Sequence, residues 1–335
     1  SLFVEGVRNV VVSPGSRSTP LTLAFSAHPG IHKTIAVDER SAAFVALGQA
    51  KASGIPSVLV CTSGTALANY APAVFEATNS GISLIVASAD RPPHLRAIGA
   101  SQTMDQIKIF GDQPVFFHEV GEPQANLQKQ ERVEVLARQA VLNSVEYKGV
   151  SHLNFAFDKP FEPEADFLKK IEAENQNHSK RSQTDYSQEI PTTELGEKFW
   201  SQLISAEKPL IIVGANSAGT DLSYITPLAR ALSAPIIAEP GSNIPNSRHV
   251  ISGVSGFLKD PEYREKLTPD LIIRAGSFPV SKGVQQLLAE NKKAHQISFA
   301  NRRFPNDGDT PADRVIHLKS SLSIPDVSGN AGSKW

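Results

Sequence analysis

The sequence predicts an α/β protein of two domains, each a mainly parallel sheet covered by helices. Two observations carry this. In the first 160 residues, short segments that are almost wholly apolar alternate with amphipathic ones. Strands without a polar face belong in a sheet covered on both sides. After a long polar stretch the same alternation resumes near Thr193 and runs to the C-terminal region. The expected boundaries are a first domain over 1–162, a linker over 163–192 and a second domain over 193–335.

Each element follows from its letters. "NVVVS" is a strand, and a helix from about Thr19 to Ala27 follows. "HKTIAV", "SVLVCTS" and "SLIVASAD" are the next strands, with "ERSAAFVALGQAKAS" and "GTALANYAPAVFEATN" as the helices between them. A loop of roughly Arg91 to Pro114 leads to "VFFHEV", a helix near Gln128–Tyr147 and the strand "SHLNFAF". "PEADFLKKIEAENQNHSKRSQTDYSQEIP" is charged and poor in large apolar residues, as a linker is. Beyond it, "PLIIVG", "APIIAEP", "DLIIRAGSF", "HQISFA" and "RVIHLK" are strands, with helices at "DLSYITPLARALS" and "SKGVQQLLAENK".

Composition excludes several classes of function. A net charge of −1 gives no basic footprint for nucleic acid or an anionic membrane. The one cysteine, Cys61, rules out an internal disulfide and a cysteine-cluster metal site, and fits a cytoplasmic protein. No apolar run approaches the roughly 20 residues of a membrane span, and no signal peptide is read. The nine histidines show no metal-ligand spacing, so no metal ligand is expected in this chain. "SLFVEGVRNV" reads as the end of a helix already under way, as in a piece of a longer protein.

Four consecutive strand ends carry candidate chemistry. "VVSPGSRSTPLTLAF" joins a strand to a helix start, where unpaired N–H groups and the helix dipole favour an anion. Arg17 adds a fork matched to carboxylate or phosphate, and Ser16 and Ser18 add hydroxyls. The plain alternative is a helix capped by Ser18 or Thr19, with Arg17 in water. "VDERSAAFVALG" sets Asp38 and Glu39 at the next strand end, outside which ligands bind in open α/β sheets. Glu39 either favours its helix dipole or exchanges a proton with a ligand. Thr62, Ser63 and Gly64 close the third strand, and Arg91 follows the fourth. The loop after Arg91 holds Arg96, Ser101, Gln102 and Asp105, and is longer than structural connections usually are. Together these predict a pocket for an anionic molecule, with one carboxyl group available for proton transfer. In the second half, "VGANSAGT" with Glu239 is a weak dinucleotide signal, Lys282 opens a helix, and Asn301, Arg302 and Arg303 form a small cationic turn.

"SPGSRSTPLTLAF", "DERSAAFVALG", "TSGTALANYAPAVFEA" and "ADRPPHLRAIGASQTMDQ" resemble the 2-succinyl-5-enolpyruvyl-6-hydroxy-3-cyclohexene-1-carboxylate synthase family of menaquinone biosynthesis. The resemblance continues more loosely to "VSKG". It implies that 1–162 is a pyrimidine-binding domain and 193–335 a central domain. The family's diphosphate-binding domain, with its Gly-Asp-Gly…Asn stretch, is not read in the sequence, so the chain alone is expected to be inactive. The implied cofactor is thiamine diphosphate with Mg2+ (or Mn2+). The implied reaction decarboxylates 2-oxoglutarate and adds the resulting carbanion to isochorismate, in a homodimer or homotetramer. By the resemblance Glu39 activates the cofactor at its pyrimidine N1′, and Thr62, Ser63 and Gly64 line the cofactor pocket. Ser16, Arg17, Arg91, Gln102 and Lys282 bind the substrates' carboxylates and hydroxyls.

Two other readings share these residues. One is a different thiamine diphosphate-dependent decarboxylase, or an enzyme like acetohydroxyacid synthase. The other is a non-catalytic module that binds an acidic metabolite. If the family reading holds, an exposed apolar area is expected near the four strand ends, where another subunit would pair.

Overall fold

The computed structural model describes residues 1–124, 126–163, 166, 195–216, 221–251, 253–300, 310–318, 322–325 and 335. The chain divides into two compact units, Ser1–Tyr186 and Ser187–Trp335. Most of the polar stretch expected as a linker lies outside the described residues, as do Asn301, Arg302 and Arg303.

The first unit holds a six-stranded sheet made of β1 (Asn9–Val12), β2 (His32–Ile35), β3 (Ser57–Cys61), β4 (Leu84–Asp90), β5 (Phe116–Gly121) and β6 (Val150–Ala156). Their order is β2-β1-β3-β4-β6-β5, and every pairing is parallel. The helices are α1 (Thr19–Ser26), α2 (Glu39–Ser53), α3 (Thr65–Ala68), α4 (Ala71–Ser80) and α5 (Leu127–Glu146).

Alternate residues of each strand feed opposite layers, as the two-residue period of a strand requires. Val11, Leu59, Cys61, Leu84 and Val86 face one layer, with Ala42, Ala43, Ala46 and Ala50 of α2 and Val74 and Ala77 of α4. Val10, Val12, Val58, Val60 and Ile85 face the other, with Leu136, Ala140 and Val141 of α5. The run of alanines gives α2 a smooth face that lies close to the sheet. From β1 the chain steps outward to β2, then returns to the far side of β1 as β3. That reversal opens a crevice at the carboxyl ends of β1 and β3, where an open α/β sheet binds its ligand.

The second unit is also a parallel six-stranded sheet: β7 (Pro209–Val213), β8 (Ile236–Ala238), β9 (Val250–Ile251), β10 (Leu271–Ala275), β11 (His295–Ala300) and β12 (Arg314–His317), in the order β12-β11-β10-β7-β8-β9. Ile211, Val213, Ile273 and Ile297 meet the helices Glu197–Ile204 and Ile225–Leu232 through Leu203, Leu228 and Leu232. Leu210, Ile212 and Ile272 meet the helix Lys282–Glu290 through Val284, Leu287 and Leu288. The edge strand β9 and the short helices Val254–Phe257 and Pro261–Lys266 go beyond the sequence expectation. A strand of two residues is too short to show a period.

Candidate active site

The turn after β1 is closed by contact with the end of β3. A Cβ on Gly15 would stand 2.3 Å from Thr62 Cβ, so only glycine lets the two strand ends meet this closely. Ser16 to Ser18 form one 3₁₀ turn, and α1 begins at Thr19 with Pro20 in its first turn. Ser16 is exposed. Ser18 makes no side-chain cap to α1; its Oγ donates back to the Gly15 carbonyl at 2.9 Å.

Arg17 does not extend into water. It is 7% exposed, its Nη1 donates to the carbonyl of Phe157 just beyond β6, and its guanidinium lies 4.8 Å from the Phe161 ring centre. Its Nε is buried with no hydrogen-bond partner among the described residues. Arg91, directly after β4, repeats the pattern. Its backbone N–H donates to Asp90 Oδ1 at 2.7 Å, and its Nη1 is buried with no partner among the described residues.

Burial lowers the pKa of both arginines. For Arg91 the nearby charge of Arg17 lowers it further, while Asp90 opposes. For Arg17 the opposing charges are Asp158 and Asp90. Both side chains stay cationic, because arginine is not deprotonated in proteins. Each of these mutually repelling cations keeps a buried N–H without a partner among the described residues, a donor suited to a carboxylate.

Glu39 is the first residue of α2, and the residue before it is the cap: Asp38 accepts the Ser41 backbone N–H at 2.7 Å. The Ser41 hydroxyl first, and this backbone N–H second, hold Asp38 below its ordinary pKa. Glu39 is half-buried and makes no hydrogen bond or ion pair among the described residues. Its charge reaches inward, where burial first and Glu39 later in order push up the Cys61 thiol and the Tyr70 hydroxyl. Ile35 and Val37, which lead into this turn, are 60% and 83% exposed, and Ile98 in the long loop is 68% exposed.

Thr62 and Ser63 are buried, and Ser63 Oγ has no partner among the described residues. Gly64 adopts φ +83° and ψ −147°, a conformation open in practice to glycine alone. The long loop returns to this turn. Gln102, exposed and at φ +55°, donates its Nε2 to the Ser63 carbonyl at 3.1 Å. Gln106, fully buried, accepts the Gly64 N–H on Oε1 at 2.8 Å.

Gln106 belongs to a network that sequence reading missed. Its Nε2 donates to the Ala89 carbonyl at 3.1 Å and to Asn154 Oδ1 at 3.0 Å. Asn154 Oδ1 also accepts Ser88 Oγ at 2.7 Å. Asn154 Nδ2 donates to Asp90 and Glu119, and Arg96 Nη2 bonds to the same two carboxylates. Arg96 is therefore occupied inside the protein. The signal for this network was three polar letters, Ser151, His152 and Asn154, in a strand whose other residues are mostly apolar. Nothing in the letters around Gln106 marks it as buried.

Lys282 lies in the second unit, exposed at the start of the helix Lys282–Glu290. Glu239 is 5% exposed, and its two oxygens accept the N–H groups of Val280 and Ser281 at 2.7 and 2.8 Å. Part of the "VGANSAGT" turn lies outside the described residues.

Among the described residues, no three His, Cys, Asp or Glu side chains come together as a metal site, and no helix is long and apolar enough to cross a membrane. Residues 2–109 match the thiamine pyrophosphate enzyme, N-terminal TPP binding domain family. The chain is similar to curated proteins described as 2-succinyl-5-enolpyruvyl-6-hydroxy-3-cyclohexene-1-carboxylate synthase. It is 40% identical to that of Oceanobacillus iheyensis over 92% of this chain and 53% of the relative. The Bacillus velezensis protein is 35% identical over 99% and 58%, and that of Microcystis aeruginosa 40% over 98% and 60%. The chain thus spans somewhat more than half the length of these relatives.

Proposed function

Since the chain is related to the 2-succinyl-5-enolpyruvyl-6-hydroxy-3-cyclohexene-1-carboxylate synthases, we propose that it supplies the pyrimidine-binding and central parts of such an enzyme. The reaction is the decarboxylation of 2-oxoglutarate and the addition of its four-carbon remainder to isochorismate, in the cytoplasm, on the way to menaquinone. The observation that supports it most is the pair Arg17 and Arg91, each with a buried N–H that has no partner among the described residues. They stand at the same sheet edge from which Glu39 projects.

The residues suit the pyrimidine end of thiamine diphosphate. Glu39 is a carboxyl group without an internal partner among the described residues, and Ser63 adds an orphaned buried hydroxyl. When bound, the cofactor supplies the carbon nucleophile and the electron sink for decarboxylation. Glu39 holds the proton at the pyrimidine N1′, while Thr62, Ser63 and Gly64 form the wall beside it. Arg17, Arg91, Ser16, Gln102 and Lys282 receive the substrates' carboxylates and hydroxyls. Magnesium or manganese accompanies the diphosphate, held by residues outside this chain, so these 335 residues are inactive alone. Exposed Ile35, Val37 and Ile98 support pairing with another subunit, as a homodimer or homotetramer.

The test is made in a full-length synthase containing this chain. Glu39→Gln should depress turnover by at least about a hundredfold with the fold intact, on the scale of a lost proton-transfer group. Wild-type turnover in that variant removes Glu39 from its role. Activity on pyruvate alone, with none on 2-oxoglutarate plus isochorismate, moves the chain to the acetohydroxyacid synthase-like alternative. Tight binding of a dicarboxylate by these 335 residues without thiamine diphosphate favours a binding module.

A further inference from the structure

The Ser63 carbonyl and the Gly64 N–H belong to one peptide group, and two glutamines of one loop hold its two ends. Gln102 donates to the carbonyl, and Gln106 accepts the N–H. We propose that this pair is a clamp on the wall of the cofactor pocket, with Gln106 as its positioning residue. The inference rests on the thiamine diphosphate reading of the site.

The two glutamines are not equivalent. Gln102 is exposed, and only one bond ties its side chain to the turn. Gln106 has no exposure, although Asp105, Ile107 and Lys108 beside it are exposed. Its amide is fixed at three points, on Gly64, Ala89 and Asn154, so it joins the ends of β3, β4 and β6. A side-chain amide locked by three bonds fixes the plane of the peptide it holds.

Gly64 needs that hold. Glycine crosses between backbone conformations at little steric cost, so an unheld Ser63–Gly64 peptide would rotate. Rotation would swing the Ser63 carbonyl and the Gly64 N–H out of the turn that closes β3. If Gln102 gives its amide to a substrate, as the functional reading has it, the Ser63 carbonyl loses its partner. Gln106 then keeps the peptide in place alone. The clamp thus lets a substrate take one glutamine without disordering the cofactor wall.

The experiment measures thiamine diphosphate affinity by calorimetry, with magnesium present, on a full-length synthase containing this chain. Gln106→Met keeps the side-chain length and removes the acceptor. It should weaken cofactor binding about tenfold, the scale of one lost hydrogen bond. Gln106→Glu keeps an acceptor for Gly64 and should bind the cofactor within about twofold of wild type, even if its melting temperature falls. Ser88→Ala, which loosens the same network without touching the clamp, should lower stability and leave cofactor affinity unchanged. Equal affinities in Gln106→Met and wild type overturn the clamp. So does an equal loss in Ser88→Ala, or in Gln106→Glu should Gln106→Met fail to fold. Wild-type protein that binds no cofactor overturns the site reading and the clamp with it.

Discussion

Asp90 and Glu119 are bound by the same two nitrogens. Arg96 Nη2 lies 2.8 Å from Asp90 and 2.6 Å from Glu119, and Asn154 Nδ2 lies 2.9 and 2.7 Å from them. One guanidinium therefore answers two carboxylates, one of them fully buried. Arg96→Ala should cost about 3 kcal/mol, because it takes from a buried carboxylate the guanidinium it is bonded to. Glu119→Gln should cost clearly less, since Arg96 then serves Asp90 alone. Urea unfolding of the two variants gives the order, and a larger loss in Glu119→Gln would contradict this account.

His152 makes stability depend on pH. Burial lowers its pKa to about 3, and it sits between the Phe110 and Phe117 rings at 5.3 and 5.2 Å. The unfolded chain takes up this proton near pH 6.5, while the folded one refuses it. The contribution is thus present above about pH 6.5 and is lost as pH falls toward 3, at about 1.4 kcal/mol per pH unit. His152→Gln should remove that part of the slope. Unfolding midpoints between pH 4 and 7 measure it, and an unchanged slope in the variant would assign it elsewhere.

Gly15→Ala should destabilise the first unit by roughly 1–3 kcal/mol, the usual cost of forcing an atom into a filled space. The clash is with Thr62 Cβ, which no rotamer change can move. Gly15→Ala combined with Thr62→Gly should recover part of the loss. Unfolding free energies of the two single variants and the double decide the matter; a loss in the double equal to the sum of the two single losses would show that the contact is not the cause.

On the proposed function, Arg17→Ala or Arg91→Ala in a full-length synthase containing this chain should raise KM for the acidic substrates about tenfold to a hundredfold, from the loss of a charged hydrogen bond. The effect on kcat should be smaller. Unchanged KM in both variants would remove the arginine pair from substrate binding.

The strands were legible because burial on both faces writes itself as unbroken apolar letters, as in "VVV" of β1 and "VLVC" of β3. The position of Arg17 was legible too, since Pro14-Gly15 and Pro20 bracket it at a helix start. Its burial was not, because that depends on Phe157 and Phe161, far along the chain. Gln106 stayed hidden for the same reason. Its partners come from two strands and the turn after a third, and no local period records where a loop folds back.

The strand order of the second unit, reversing between β7 and β10, is that of dinucleotide-binding sheets. Glu239 gives that likeness a different meaning. By filling the helix end at Val280 and Ser281 with its own carboxylate, the second unit carries an internal counter-ion. A phosphate arriving there would have to evict a side chain already bonded twice. The strand order is shared with nucleotide-binding sheets, but this helix end is already plugged from within.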